Sequence, residues 1–274
     1  MWNAGVQLAA LIEDGPDWKP LPRSSATEKN DHSQGLDGSC GLEPYMEELL
    51  TKTSTASHET TTKDANFGKK GMWDVSGKKV LELGAGTGLA GILAARCGAV
   101  ETVITDYPAA EVLQNIQSNI KKNVEGKSWQ GQGISCHAKG HVWGQVGEAI
   151  DMGVESRSVE DTFTIEGKGG FDRILVADCL WMPWQHQNLM KSIRWFMAPD
   201  ARAWVVAGFH TGRAKMQGFY DEEMLAAQGL EIEMIWERDA DDNERSWVRD
   251  RGIEDPTARK RWLVIAVLKR TECR

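Results

Sequence analysis

The chain has 274 residues and lacks the features typical of membrane, secreted and nucleic-acid-binding proteins. No run approaches the roughly 18 apolar residues of a membrane-spanning helix, and no basic segment precedes the apolar N-terminal residues as in a secretory signal. The five cysteines are an odd number and form no CxxC pair, so we expect reduced thiols and a cytoplasmic location. The net charge of −8, from 32 basic and 40 acidic residues, disfavours direct contact with nucleic acid.

Tyrosine and phenylalanine are also scarce, with 3 and 6 residues beside 12 tryptophans. Hydrophobic residues make up 41% of the chain and charged residues 26%, which is typical of a globular protein with a sizeable core. Cys136 with His137 and His141, and Cys179 with His186, are close in sequence, but neither set supplies four metal ligands. We therefore expect no metal.

Three segments of the chain differ in character. Residues 1–13 contain the apolar spacing of a short amphipathic helix, which we assign to the same domain as the core. Residues 14–72 are rich in serine, threonine and proline and poor in aliphatic side chains, so we expect a disordered insertion. Residues 73–274 have a regular pattern and form the predicted core.

The core alternates predicted strands and helices. The predicted strands are 79–83, 102–105, 134–142, 171–177, 203–209, 230–236 and 262–268, and the predicted helices are 89–97, 109–124, 185–197 and 216–228. This order predicts an α/β, Rossmann-like fold with a seven-stranded, mostly parallel sheet and helices on both faces. The last two strands have no predicted helix between them, so the last strand should be antiparallel. The intervening run RDADDNER at 238–245 is predicted to be a solvated loop.

The most informative segment joins the first predicted strand to the first helix of the core. Residues 82–88 read ELGAGTG, and glycines at such a turn let the backbone approach a ligand closely. Asp106 ends the next strand, where a carboxylate can accept hydrogen bonds from both hydroxyls of a ribose. This order of strand, glycine turn, helix, strand and aspartate predicts a nucleoside-binding half of the fold.

Two nucleoside cofactors fit this pattern. Gly86, Gly88 and Gly91 have the dinucleotide spacing G-x-G-x-x-G, with Asp106 at the expected distance. S-adenosylmethionine is favoured because Glu82 adds a leading acid that can face the methionine ammonium group. The chain also has no Tyr-x-x-x-Lys pair of the kind that dehydrogenases use. A glycine turn in an α/β fold without a ligand is the remaining alternative.

Four segments of the core, VLELGAGTGLAGILAARCGA, VITDYP, HVWG and FDRILVADCLW, resemble the seven-β-strand class I methyltransferases. Within that class the chain is similar to the protein N-methyltransferases that modify lysines and N-termini. It is most similar to the fungal elongation-factor branch, long labelled nicotinamide N-methyltransferase-like. WNAG at 2–5 resembles the LWNAG of this branch, and TDYP at 105–108 resembles its ITDYP. The resemblance implies S-adenosyl-L-methionine as the cofactor.

The glycine pattern and the resemblance together predict which residues bind the cofactor. They are Trp2, Glu82, Gly84, Ala85, Gly86, Asp106, Tyr107, Trp143 and Ala177. Trp2 matches a tryptophan that contacts the cofactor ahead of the core, and Trp143 matches one that packs beside the adenine. Asp106 matches the acid that binds the ribose, and Ala177 is the small residue at the end of the fourth strand.

Methyl transfer from a sulfonium is an in-line displacement that needs proximity, alignment and an uncharged nucleophile. Asp178 matches the first position of the family motif D-x-x-[YF] and is predicted to orient an acceptor amine or take its proton. Its alternative roles are a helix cap or a loop anchor. Trp181 replaces the motif's Tyr or Phe and is predicted to form an aromatic wall for a cationic amine, whereas Trp184 is predicted to pack. His186 and His210 are both expected to be structural, and His210 is the stronger catalytic candidate of the two.

These observations predict an S-adenosylmethionine-dependent N-methyltransferase. The resemblance implies that it acts on a protein amine, a lysine or an N-terminus, of a translation elongation factor. A small-molecule methyltransferase with an amine or hydroxyl acceptor remains an alternative because Trp181 alters the motif and because a segment that precedes WNAG in the family is missing. A truncated, non-catalytic family member is the third possibility. We further expect a monomer without a membrane partner.

Overall fold

The computed structural model describes residues 3–15, 71–129, 132–147, 163 and 167–271. The predicted cofactor contact Trp2 and residues 16–70 of the predicted insertion lie outside this part of the chain. The helices are α1 Asn3–Asp14, α2 Leu89–Arg96, α3 Ala110–Asn123, α4 His186–Phe196, α5 Arg213–Met216, α6 Glu222–Ala227 and α7 Pro256–Lys260. The strands of the main sheet are β1 Lys79–Leu83, β2 Glu101–Asp106, β3 Cys136–Gly140, β4 Phe171–Ala177, β5 Met197–Gly208, β6 Leu230–Asp239, β7 Glu244–Ser246 and β8 Trp262–Arg270. Ser128–Trp129 and Gln132–Gly133 pair separately.

The main sheet has the strand order β3-β2-β1-β4-β5-β8-β6-β7. Strands β1 to β5 run parallel to one another. Strand β8 lies between β5 and β6 and is antiparallel to both. The predicted Rossmann-like fold, a mostly parallel sheet with an antiparallel last strand, is therefore confirmed.

Two local predictions are wrong in part. The run at 238–245 is an exposed turn only at 240–243, because 238–239 end β6 and 244–245 begin β7, and Arg238 is only 5% exposed. The predicted helix at 216–228 is interrupted by the 3-10 turn Gln217–Tyr220. Gly218 lies in this interruption, and glycine disfavours helix. Asp221 then begins a new helix, since its side chain accepts a hydrogen bond from the Met224 amide at 3.1 Å.

Helices cover both faces of the sheet because alternate residues of each central strand point to opposite sides. On one face, Leu81 and Leu83 of β1 belong to a buried cluster with Ile193 of α4. On the other face, Val80 of β1 belongs to a second cluster with Leu8 of α1. Within the described ranges, no helix is both long and apolar enough to cross a membrane.

The carboxyl ends of the five parallel strands meet at one edge of the sheet. These ends are Leu83, Asp106, Gly140, Ala177 and Gly208. Ligands of open α/β sheets bind at this edge. The predicted site residues that the structure describes all lie at or near these strand ends, so the topology gathers residues that are far apart in sequence.

Candidate active site

Three glycines shape the loop between β1 and α2. Gly84, Gly86 and Gly88 have φ angles of 65°, 58° and 79°, a region that side chains disfavour. A Cβ atom on Gly84 would lie 2.6 Å from Cζ2 of Trp143 and 2.7 Å from Sγ of Cys179. Gly84 is therefore the point where the ring of Trp143, from the segment after β3, and the thiol that follows β4 both press against the loop.

Asp106 ties this loop to the end of β2. Its Oδ2 accepts a hydrogen bond from the Gly86 amide at 2.7 Å, and its Oδ1 accepts one from the Tyr107 amide at 2.6 Å. Each oxygen of a carboxylate can accept about two hydrogen bonds, so both retain capacity for a ribose hydroxyl. The Ala85 amide also donates to the Thr105 carbonyl at 3.1 Å. The loop and the acid thus fit the ribose of a nucleoside cofactor.

Glu82 has a different contact from the one predicted for it. The side chain is 2% exposed, and its Oε2 accepts a hydrogen bond from the Gly91 amide of α2 at 2.9 Å. A Cβ atom on Gly91 would lie 2.6 Å from the same oxygen. The glycine at this position therefore leaves space for the Glu82 carboxyl group, and its presence does not require a dinucleotide cofactor. Burial raises the pKa of Glu82 to about 8, which leaves it mostly protonated at neutral pH. Its contact with a methionine ammonium group stays a prediction.

The buried acid should make stability depend on pH. Glu82 ionises near 4.5 when unfolded but near 8 when folded, so the folded protein binds more protons between these values. The free energy of unfolding should then fall by up to about 1.4 kcal/mol per pH unit across this window. We expect Glu82→Gln to lack this slope when urea unfolding is compared at several pH values. Burial lowers the pKa of His141, so its contribution to stability rises with pH, but it does so equally in the wild type and in Glu82→Gln and cancels in the comparison. Identical pH slopes of the two proteins would contradict the prediction.

Asp178 follows β4 with a left-handed backbone. Its φ is 60°, and Asp242 is the only other non-glycine residue with positive φ in the described ranges. Oδ1 accepts a hydrogen bond from the Gly208 amide at 3.0 Å, and the Asp178 amide donates to the Val206 carbonyl at 2.8 Å. Both bonds join Asp178 to β5, so the helix-cap alternative is wrong.

The second oxygen of Asp178 differs from the first because it has no hydrogen-bond partner among the described residues. Oδ2 is buried, accepts no hydrogen bond from any residue that the structure describes, and lies 3.5 Å from Nε2 of His210. Burial raises the pKa of this carboxyl group, against the Gly208 amide and the imidazole, which lower it. The ring of His210 folds over Gly208, where a Cβ atom would lie 2.5 Å from Nε2. The structure thus brings together two of the three predicted catalytic residues.

Three large aromatic side chains at this edge are exposed. Trp181 is 50% exposed, Tyr107 59% and Trp184 71%. The prediction that Trp184 packs in the protein is therefore wrong. His186 is buried, and its Nε2 donates a hydrogen bond to the Leu180 carbonyl at 3.0 Å, so it anchors the turn before Trp181.

Several contacts at the site were not predicted. Asn119 of α3 donates to the Thr87 carbonyl at 2.9 Å and so supports the glycine loop. Cys179 lies 3.4 Å from the Leu83 carbonyl and joins the segment after β4 to the same loop. Ala177, the last residue of β4, is partly buried. Within the described ranges, no three histidine, cysteine, aspartate or glutamate side chains are grouped as metal ligands would be.

The chain matches the profile of the lysine methyltransferase family over residues 42–222. One relative is the protein N-terminal and lysine N-methyltransferase EFM7 of Gibberella zeae, which is 30% identical over 182 residues, or 65% of this chain and 66% of the relative. The protein of the same name in Yarrowia lipolytica is 33% identical over 153 residues, or 52% of this chain and 50% of the relative. The chain therefore spans between half and about two thirds of these relatives.

A solved structure, a TehB-like SAM-dependent methyltransferase from Corynebacterium glutamicum, has a TM-score of 0.45 and 17% identity, covering 72% of this chain and 82% of that one. This likeness is too low to add to the fold assignment, which rests on the strand order. The profile match covers more than half of the sequence and agrees with the resemblance in the glycine loop. The chain belongs to the lysine methyltransferase family.

Proposed function

We propose that the protein transfers a methyl group from S-adenosylmethionine to an amine of another protein, on a lysine side chain or an N-terminus. The observation that carries the proposal is the contact of the Asp178–Cys179 segment with the glycine loop. Cys179 lies 3.4 Å from the carbonyl of Leu83, the last residue before that loop. The carboxylate that we propose to receive the amine is thus one residue away from a contact with the loop that we propose to bind the cofactor.

The cofactor would be held by the residues at the strand ends. Asp106 would bind the ribose, the backbone of Gly84 to Gly86 would lie under the ribose and methionine, and Trp143 would pack beside the adenine. Trp2, Glu82, Tyr107 and Ala177 complete the proposed set. When bound, S-adenosylmethionine supplies a methyl group activated by its sulfonium.

The chain's own residues would prepare the acceptor. Oδ2 of Asp178 accepts an N–H of the amine, orients its lone pair and takes its proton. His210, 3.5 Å away, lies beside this carboxylate and stabilises its charge when protonated. The ring of Trp181 attracts the cationic form of the amine before deprotonation. Together these residues supply alignment and an uncharged nucleophile.

A protein acceptor is favoured by the exposure of the site. Trp181 and Trp184 are 50% and 71% exposed, whereas small ligands are usually enclosed in a pocket. We propose a translation elongation factor as the acceptor, as the resemblance implies. The described cysteines Cys97, Cys136 and Cys179 are free thiols, which supports the cytoplasm as the location. We propose that the protein acts as a monomer.

Cofactor binding is tested with Asp106→Ala. We expect the affinity for S-adenosylhomocysteine, measured by calorimetry, to fall about 100-fold, because the variant loses two charge-assisted hydrogen bonds and the support of the loop. Asp255→Ala is the matched control, since Asp255 also accepts hydrogen bonds from two backbone amides but caps α7. Unchanged affinity in Asp106→Ala would refute the ribose assignment.

The acceptor is tested with the wild-type protein, radiolabelled S-adenosylmethionine and a cell lysate. Label in a protein band is expected, and hydrolysis of that band should yield methylated lysine or a methylated N-terminal residue. Label only in small organic extracts would replace the proposal by the small-molecule alternative. If the wild-type protein binds no cofactor, the non-catalytic alternative stands.

A further inference from the structure

A network of buried hydrogen bonds connects the residues on either side of Trp143. The side chain of His141, two residues earlier, is 1% exposed, and Ser192 of α4 is fully buried. Nε2 of His141 lies 2.8 Å from Oγ of Ser192, and Nδ1 lies 3.0 Å from the Phe163 carbonyl. The amide of Gly144, one residue after Trp143, donates to the same Oγ at 2.9 Å.

Each donor in this network faces an acceptor. The Phe163 carbonyl can only accept, so Nδ1 of His141 carries the proton. Nε2 then accepts the hydroxyl proton of Ser192, while the Ser192 oxygen accepts the Gly144 amide. Burial lowers the pKa of His141 to about 4, which agrees with a neutral ring. A buried network in which every member is satisfied is rigid.

The backbone is held in place both before and after Trp143. The His141 amide donates to the Asp106 carbonyl at 2.8 Å, which joins this segment to the residue proposed to bind the ribose. Gly144 has a φ of 81°, and a Cβ atom there would lie 2.5 Å from Oδ1 of Asn188, so the turn presses against α4. Between these two anchors, the ring of Trp143 reaches over Gly84.

We propose that His141 and Ser192 are positioning residues for the adenine end of the cofactor, acting through Trp143. This inference rests on the proposed function. Ser192 accepts the amide of Gly144, next to Trp143, and His141 binds Ser192. The hydrogen bonds described for these two side chains do not include the glycine loop. Their effect on the cofactor should therefore pass through the tryptophan ring.

A double-mutant cycle tests this route, with S-adenosylhomocysteine affinity measured by calorimetry on the full chain. Loss of base stacking should make Trp143→Ala bind about 10- to 100-fold more weakly. Ser192→Ala should bind about 5- to 10-fold more weakly in the wild-type background and change affinity less than about twofold when Trp143 is already alanine. An equal loss in both backgrounds would overturn the proposal.

The controls separate this inference from the proposed function and from simple unfolding. Ser118→Ala removes another helical serine, whose hydroxyl donates to the Gln114 carbonyl at 2.8 Å, and should leave affinity unchanged. His141→Asn keeps a donor for the Phe163 carbonyl but loses the acceptor for Ser192, and should repeat the result if Ser192→Ala fails to fold. Absence of binding by the wild-type protein would refute the proposed function instead, and wild-type affinity in both variants would refute the positioning role alone.

Discussion

Replacement of Asp178 by asparagine is expected to lower kcat by about 10²- to 10⁴-fold, the usual contribution of a positioned acid–base group. Asparagine keeps an oxygen that can accept the Gly208 amide, and it tolerates the left-handed backbone at this position. It places an amide donor where Oδ2 would receive the amine. The chemistry therefore changes while the local fold is retained, and S-adenosylhomocysteine affinity should stay within about threefold. Initial rates at saturating cofactor and calorimetry measure the two effects.

Asp242→Asn is the matched control, because Asp242 also has a positive φ, of 62°, but lies outside the site between β6 and β7. Its kcat should equal that of the wild type. A pH series adds a second test. Burial raises the pKa of Asp178, so as the pH is lowered, wild-type activity should already be lost at pH values above the usual pKa of aspartate. This limb should be absent in Asp178→Asn. A kcat within threefold of wild type in that variant would remove Asp178 from the reaction.

Local patterns were sufficient to predict the fold and the cofactor loop. Alternating strands and helices predict a parallel sheet because each apolar run needs covering on both faces, and the glycines of the loop report a backbone that only glycine adopts readily. Asp106 could be predicted because it directly ends a strand. The broken helix at 216–228 was also predictable in principle, since Gly218 and the cap residue Asp221 are visible in the sequence.

Contacts between distant segments could not be predicted in the same way. Cys179 meets Gly84, and Ser192 meets His141, only after the sheet has ordered its strands. Glu82 shows a different limit, because its acid character suggested an ionic contact whereas burial against Gly91 favours its neutral form. The exposure of Trp184 could not be predicted from the sequence either. Its apolar ring suggested packing, but the side chain is exposed near the carboxyl ends of the parallel strands.

The same limit applies to the arginines around Glu237, one of which, Arg245, belongs to the run at 238–245. Glu237 of β6 is fully buried, with Arg213 at 2.6 Å, Arg245 at 2.7 Å and Arg251 at 3.4 Å from its oxygens. Arg213 also binds Glu254 at 2.9 Å. One carboxylate thus joins β6 and β7 to the segments on either side of them.

We expect Glu237→Gln to lower the free energy of unfolding by about 3 kcal/mol, at the lower end for a broken buried ion pair, because Glu254 still pairs with Arg213. The variant leaves three arginines facing a neutral amide. The substitution should also affect the position of His210, because the Arg213 guanidinium lies 4.2 Å from the ring centre of Phe209, which directly precedes His210. Urea unfolding at neutral pH measures the change.

Glu233→Gln separates burial from the loss of an ion pair as such. Glu233 lies in the same strand and accepts two hydrogen bonds from Arg202, one of them 3.0 Å long. The two side chains are 29% and 30% exposed, and exposed pairs contribute only about 0–1 kcal/mol. The same substitution should therefore cost several times less at 233 than at 237. Equal losses would contradict the prediction, because they would mean that burial of the carboxylate does not set the cost of removing its charge.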